Sequence, residues 1–186
     1  MRFAAPFNLG VRSHMKYLLA LSFASGMTQI CVTKSSAESH SAGPFSRALS
    51  TQIIVGVRVS VDQSGNATDS FKKCVQAVDS TLLAPAIEST LRNDFLASEL
   101  EELDHFAGSD LGTRYARYSL DGFLQEHGVQ RDSVVLSPEE EAALRAFFAS
   151  TGGQRYMSVM NQRSARIEAA VRPTLDAMLE GCEAGL

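Results

Sequence analysis

One phrase, written twice, constrains this chain more than any other feature. Residues 106–115 read FAGSDLGTRY, and residues 147–156 read FFASTGGQRY. At a constant offset Phe106 aligns with Phe147, Ser109 with Ser150, Gly112 with Gly153, Arg114 with Arg155 and Tyr115 with Tyr156. Over 103–115 against 144–156, six of thirteen positions are identical, where about one is expected by chance. Each copy follows an acidic helix pattern and leads into another. The Ser can cap the second helix, because its side-chain oxygen accepts from the free N–H groups there. The Gly permits either a positive φ or a close approach of two helices. Phe106, Phe147 and Phe148 lie before the turn and Tyr115 and Tyr156 after it, so the aromatics can pack across the joint. The phrase therefore predicts two similar αα-corners, around 106–115 and 147–156, inside repeats at 96–118 and 136–159. The competing reading is an anion site built from the helix start with Ser109 and Arg114, or Ser150 and Arg155. It is not a phosphate loop, for G-x-x-x-x-G-K-[ST] does not occur.

The rest of the chain reads as helix. Thr68 or Asp69 can cap a helix carrying Phe71, Cys74, Val75 and Val78. Ile87, Leu91 and Phe95 follow at spacings of four. SELE at 98–101 has the capping-box pattern, with Leu100, Leu103 and Phe106 as its apolar stripe. A further helix ends at Gly128. LSPEEEAALRAFF has Ser137 as cap, Pro138 in the first position and Glu140 closing the box. The last helix carries Tyr156, Met160, Ile167, Val171, Leu175 and Met178, with a bend or break predicted at Pro173. Residues 48–61 are ambiguous. IIVGVRVSV has strand-like β-branched content, but no strand partner is evident, so it reads as an uncertain first helix. The expectation is an all-α protein of about six helices in a compact bundle. The helical domain is 67–186, preceded at 38–66 by a linker and the uncertain first helix.

The N-terminus is of another kind. Arg2, Arg12 and Lys16 precede the apolar run YLLALSFASGM, and no acid appears before Glu38. A basic start, a short apolar run and small residues describe a secretory signal over 1–37, with SSA at 35–37 fitting a cleavage site and HSA at 40–42 as a second candidate. Met15 reads as the natural start, which makes 1–14 an upstream extension. The competing reading is a buried N-terminal helix. Export implies a periplasmic or secreted protein with no membrane span in the mature chain. Loss of 1–37 removes Arg2, Arg12, Lys16 and Lys34 from 17 basic residues and none of the 21 acids, leaving a net charge of −8. That disfavours nucleic acid and anionic lipid as partners. Cys74 and Cys182 remain as an even pair on apolar helical stripes. In an oxidising compartment they are expected to form a disulfide; otherwise they are buried thiols.

The stretch 136–160, LSPEEEAALRAFFASTGGQRYMSVM, resembles the DUF2059 family of small exported bacterial proteins. The shared features are an acidic helix with Glu140, the pair Phe147-Phe148, Ser150, Gly153 and the basic or amide-rich start Gln154-Arg155. Thr151 departs from the family, whose members usually place Pro after the Ser. The resemblance implies a helical, periplasmic or secreted protein and names no reaction.

No catalytic constellation accompanies these features. His105 and His127 are far apart, with no H-x-x-x-H or C-x-x-C, so no metal or cofactor is expected. SFKK at 70–73 matches S-x-x-K without the motifs that accompany it in enzymes. The functional expectation is a non-enzymatic envelope protein that binds another envelope protein or itself. Arg114, Tyr115, Arg155 and Tyr156 are its candidate interaction residues. The alternative is a small-ligand carrier or an unrecognised hydrolase, with a pocket between the repeats.

Overall fold

A computed structural model describes residues 42–185. Residues 1–37, expected from the sequence to be a secretory signal, lie outside the described residues. Seven helices occur among them: α1 Pro44–Gln63, α2 Asp69–Ala77, α3 Ala84–Asp94, α4 Ala97–Gly108, α5 Asp110–Glu126, α6 Pro138–Ala149 and α7 Thr151–Ala184. The protein is all-α over this range, and the expected count of about six is one short.

The added helix is α1. Its strand-like Val and Ile content is overruled by packing, since β propensity reflects fit to a half-buried pleated surface. Phe45, Leu49, Ile54, Val59 and Val61 are buried along it instead, against α2, α3, α4 and α5. It also begins earlier than expected, inside the segment read as linker. Gly43 offers no side-chain cap, so two acids from elsewhere supply the acceptors. Glu88 of α3 accepts from the Gly43 N–H and the Ser46 hydroxyl, and Asp104 of α4 accepts from the Phe45 N–H. A helix N-terminus favours such anions. Burial nevertheless pushes the Asp104 carboxyl above the usual carboxylate range, against the lowering effect of the Phe45 N–H. Ser50, fully buried, ties the same helix to the start of α3: its hydroxyl donates to the Ser80 carbonyl and accepts from the Leu83 N–H.

The other helix starts follow local chemistry. Thr68 caps α2 through the Phe71 N–H. Ser137 and Glu140 form the full capping box of α6: the Glu140 N–H donates to Ser137 Oγ and the Ser137 N–H to Glu140 Oε2. On α4 the cap is Leu96 rather than Ser98. Leu96 has no side-chain acceptor, so only the half in which Glu99 accepts from the Leu96 N–H exists, at 2.8 Å. At Pro173, where a bend or break is predicted, α7 is not interrupted. Pro173 lacks the N–H that would reach the Ala169 carbonyl. Ala169 is exposed, and water can satisfy its carbonyl there.

Both corners have one construction. Ser109 accepts from the Gly112 N–H at 3.0 Å, and Ser150 from the Gly153 N–H at 3.1 Å. The glycines serve close approach. Gly128, just past the end of α5, is the positive-φ glycine among the described residues. A Cβ on Gly112 would lie 1.9 Å from the Phe106 carbonyl oxygen, and one on Gly153 2.1 Å from that of Phe147. The second helix of each corner thus lies directly against the last turn of the first. Gly112→Ala and Gly153→Ala are each expected to lower stability by roughly 1–3 kcal/mol, because backbone must shift. Gly122→Ala, where a Cβ meets nothing within 4 Å, should instead stabilise by about 0.5–1 kcal/mol. Urea denaturation of the three variants checks this ordering.

Candidate functional site

The two corners meet through their own equivalent residues. Phe106 stacks on Phe147, its counterpart in the other repeat, with ring centroids 3.7 Å apart and planes 9° from parallel. Equivalent residues touch in this way beside a local two-fold axis. The polar contacts show the same exchange. Arg114 of the first corner pairs with Glu140 of the second repeat and donates to the Val135 carbonyl at 3.0 Å. Arg155 of the second corner donates to the Asp94 carbonyl at 2.9 Å and lies 3.9 Å from Glu99 of the first repeat. In repeat register Glu99 matches Glu140, and Asp94 matches Val135. Each arginine therefore reaches the same two positions in the other copy: the glutamate that closes the helix start, and a carbonyl just ahead of that start.

The aromatics fill the space between. Phe148 meets Tyr115 edge-on at 5.5 Å, and Tyr156 meets Phe45 of α1 at 5.2 Å. Tyr156 is buried, which corrects its placement among surface-reading residues, and burial pushes its hydroxyl pKa far up. Tyr115 is half-buried and its hydroxyl is raised for the same reason. Arg114 and Arg155 keep part of their side chains in solvent, but their donors point into the joint.

The symmetry breaks at one position, with a consequence for the anion reading. Each corner serine must donate as well as accept. Ser109 donates to the Phe106 carbonyl. Ser150 donates to the Glu102 carboxylate, which also accepts from the Gly152 N–H at 3.0 Å. The start of α7 thus already holds an anion, supplied by the chain itself. Ala143 is the counterpart of Glu102, so the first corner has no such carboxylate.

A depression of about 410 Å³ lies beside the second exchange, lined by Asn93, Asp94, Phe95, Leu96, Glu99 and Arg155. It is open to solvent. Asp94, buried at its rim, is bound by Arg166 at 2.7 Å. Leu96 and Val135 stand out as exposed large apolar residues, at 69% and 80% exposure. One adjoins each arginine exchange, and both lie at the entry to the first helix of a repeat.

Cys74 and Cys182 are joined in a disulfide, with Cα atoms 5.6 Å apart. Cys182 is buried, but Cys74 is an exposed residue, which corrects the expectation that both cysteines lie on core-facing stripes. No helix of the described residues is long and apolar enough to cross a membrane. No family model, curated protein or solved structure matches the chain.

Sequence reasoning missed the exchange between repeats. Its signal was available: at the offset that aligns Phe106 with Phe147, the helix-start acids Glu99 and Glu140 also align. Two measurements follow. A double-mutant cycle with Phe106→Ala and Phe147→Ala should give a coupling of about 0.5–1.5 kcal/mol, the usual value for an aromatic pair. Glu140 is the second. The Ser137 N–H, and then Arg114, hold its carboxyl below the ordinary value of 4.5. A depressed carboxylate stabilises the fold above its unfolded-state pKa and loses that effect as pH falls through its folded pKa. Glu140→Gln should therefore be less stable than the parent at neutral pH, with the gap closing below about pH 4.5 in urea melts across pH.

Proposed function

We infer that this chain is an exported, non-enzymatic helical protein of the bacterial envelope that acts by binding a partner, either another envelope protein or a second copy of itself. The observation that carries the binding reading is the pair of exposed apolar residues, Leu96 and Val135, one beside each arginine exchange. Scattered single apolar residues are ordinary on a surface. These two flank matching parts of a rigid joint, and so present apolar contacts on held backbone.

Export is supported by the basic and apolar N-terminal pattern and by the disulfide, since such bonds persist in oxidising compartments. Kinship with the DUF2059 proteins is part of the same proposal. It rests on Glu140, Phe147-Phe148, Ser150, Gly153 and Gln154-Arg155.

The test is sedimentation velocity of the chain from Glu38 onward, together with its capture of proteins from envelope extract. The reading expects a concentration-dependent mass or a specific captured protein. It expects Leu96→Asp with Val135→Asp to abolish that association while helicity by circular dichroism is unchanged. A monomer at every concentration that captures nothing, or association unaffected by the two substitutions, contradicts it.

A further inference from the structure

The disulfide sits in a part of the fold separate from the corners. It joins α2 to the last turns of α7 across 108 residues of sequence. Around it is a small apolar cluster: Val61, Val75 and Cys182, with Phe71, Met178 and Leu179 packed against them. No corner residue belongs to that cluster. Val75 is the buried residue of α2. The polar ties of α2 and its end are few. Gln76 and Lys72 bond to Asp62 at exposed positions, and Arg58 donates to the Val78 carbonyl. Segments with few buried apolar contacts open at low free energy. The two cysteines also differ in exposure, for Cys182 is 4% exposed while Cys74 is an exposed residue.

We propose that the Cys74–Cys182 bond is a redox clip, opened from the Cys74 side by a dithiol reductant, and that its opening releases α2 and the end of α7 alone. Exchange depends on which sulfur the incoming thiolate can reach. The apolar cluster closes off Cys182, so the reductant's sulfur bonds to Cys74 Sγ. The protein S–S bond breaks, and its electron pair leaves on Cys182 Sγ, which takes a proton. The second thiol of the reductant then attacks its own sulfur in the mixed disulfide. Cys74 Sγ leaves with the electron pair and is protonated. The chain gains two electrons and two protons, and the reductant becomes a disulfide. Phe71, Val75, Met178 and Leu179 then lose their shared packing. The Arg114–Glu140 and Arg155–Glu99 contacts do not run through the bond and stay in place.

The test uses the full disulfide-bonded chain. Glutathione is added, the freed thiol is trapped by alkylation, and the products are mapped by peptide mass spectrometry. The expected product carries glutathione on Cys74 and the alkyl group on Cys182, in roughly tenfold or greater excess over the reverse, as access controls thiol reactivity. Equal labelling, the reverse product, or no reaction short of denaturant overturns the directed clip. Hydrogen exchange of the fully reduced chain and of a Cys74→Ser/Cys182→Ser variant reads the second half. Protection should fall in 64–82 and 176–184 and persist in 103–115 and 144–156. Loss across the corners, or a double variant that does not fold, overturns the local release.

Discussion

The structure depends on an exchange between two copies of one sequence phrase. Each copy sends an arginine to the other copy's helix-start glutamate and to a backbone carbonyl ahead of it, while the two phenylalanines stack between them. Taken singly these are modest contacts. Partly exposed ion pairs contribute about 0.2–1 kcal/mol each. Their arrangement matters more than their sum. Glu99 and Glu140 each already accept from a backbone N–H at the start of their own helix, so each arginine meets a carboxylate that is held in place. The glycines make the geometry possible, because Gly112 and Gly153 let backbone meet backbone where any Cβ would collide.

Around this joint the remaining elements act as supports. α1 closes over Tyr156 through Phe45, and its own start is held by acids from α3 and α4. Glu102 holds the start of α7. Four helix starts are therefore held by acids in the fold: α1 by Glu88 and Asp104 from other helices, α7 by Glu102 of α4, and α4 and α6 by Glu99 and Glu140 of their own first turns. Anions suit such positions, where unpaired N–H groups and the helix dipole both favour negative charge. The disulfide lies apart and ties the distal end of α7 to α2.

Much of this was legible in the sequence because it is local. Ser137 with Glu140, Thr68, and the serines of the repeated phrase define helix starts through contacts three residues long. The all-helical class and the Cys74–Cys182 pairing were also readable. What escaped was set by tertiary contact. Residues 48–61 were readable as helix from the lack of a strand partner, but the start of that helix at Pro44, within the segment read as linker, is held by acids from two other helices. Ser98 looks like a cap, yet the helix begins at Leu96, where Glu99 alone supplies the bond. Pro173 looks like a break, but the helix runs through it, and the residue whose carbonyl loses its partner, Ala169, is exposed. Tyr156 matches Tyr115 in sequence, yet the arrival of α1 buries it. At the candidate site the phrase showed which residues form a corner. It could not show that each arginine serves the opposite copy, since a cis and a trans pairing leave the same pattern in the sequence.

That distinction is also the most direct test, by charge reversal and rescue in equilibrium unfolding. Arg114→Glu places like charges against Glu140 and should destabilise the chain. Adding Glu140→Arg should recover part of that loss, since the capping-box bond to the Ser137 N–H goes with the carboxylate, whereas adding Glu99→Arg, in the same repeat as Arg114, should lower stability further. Rescue by Glu99→Arg in place of Glu140→Arg, or by neither, would contradict the exchange between repeats.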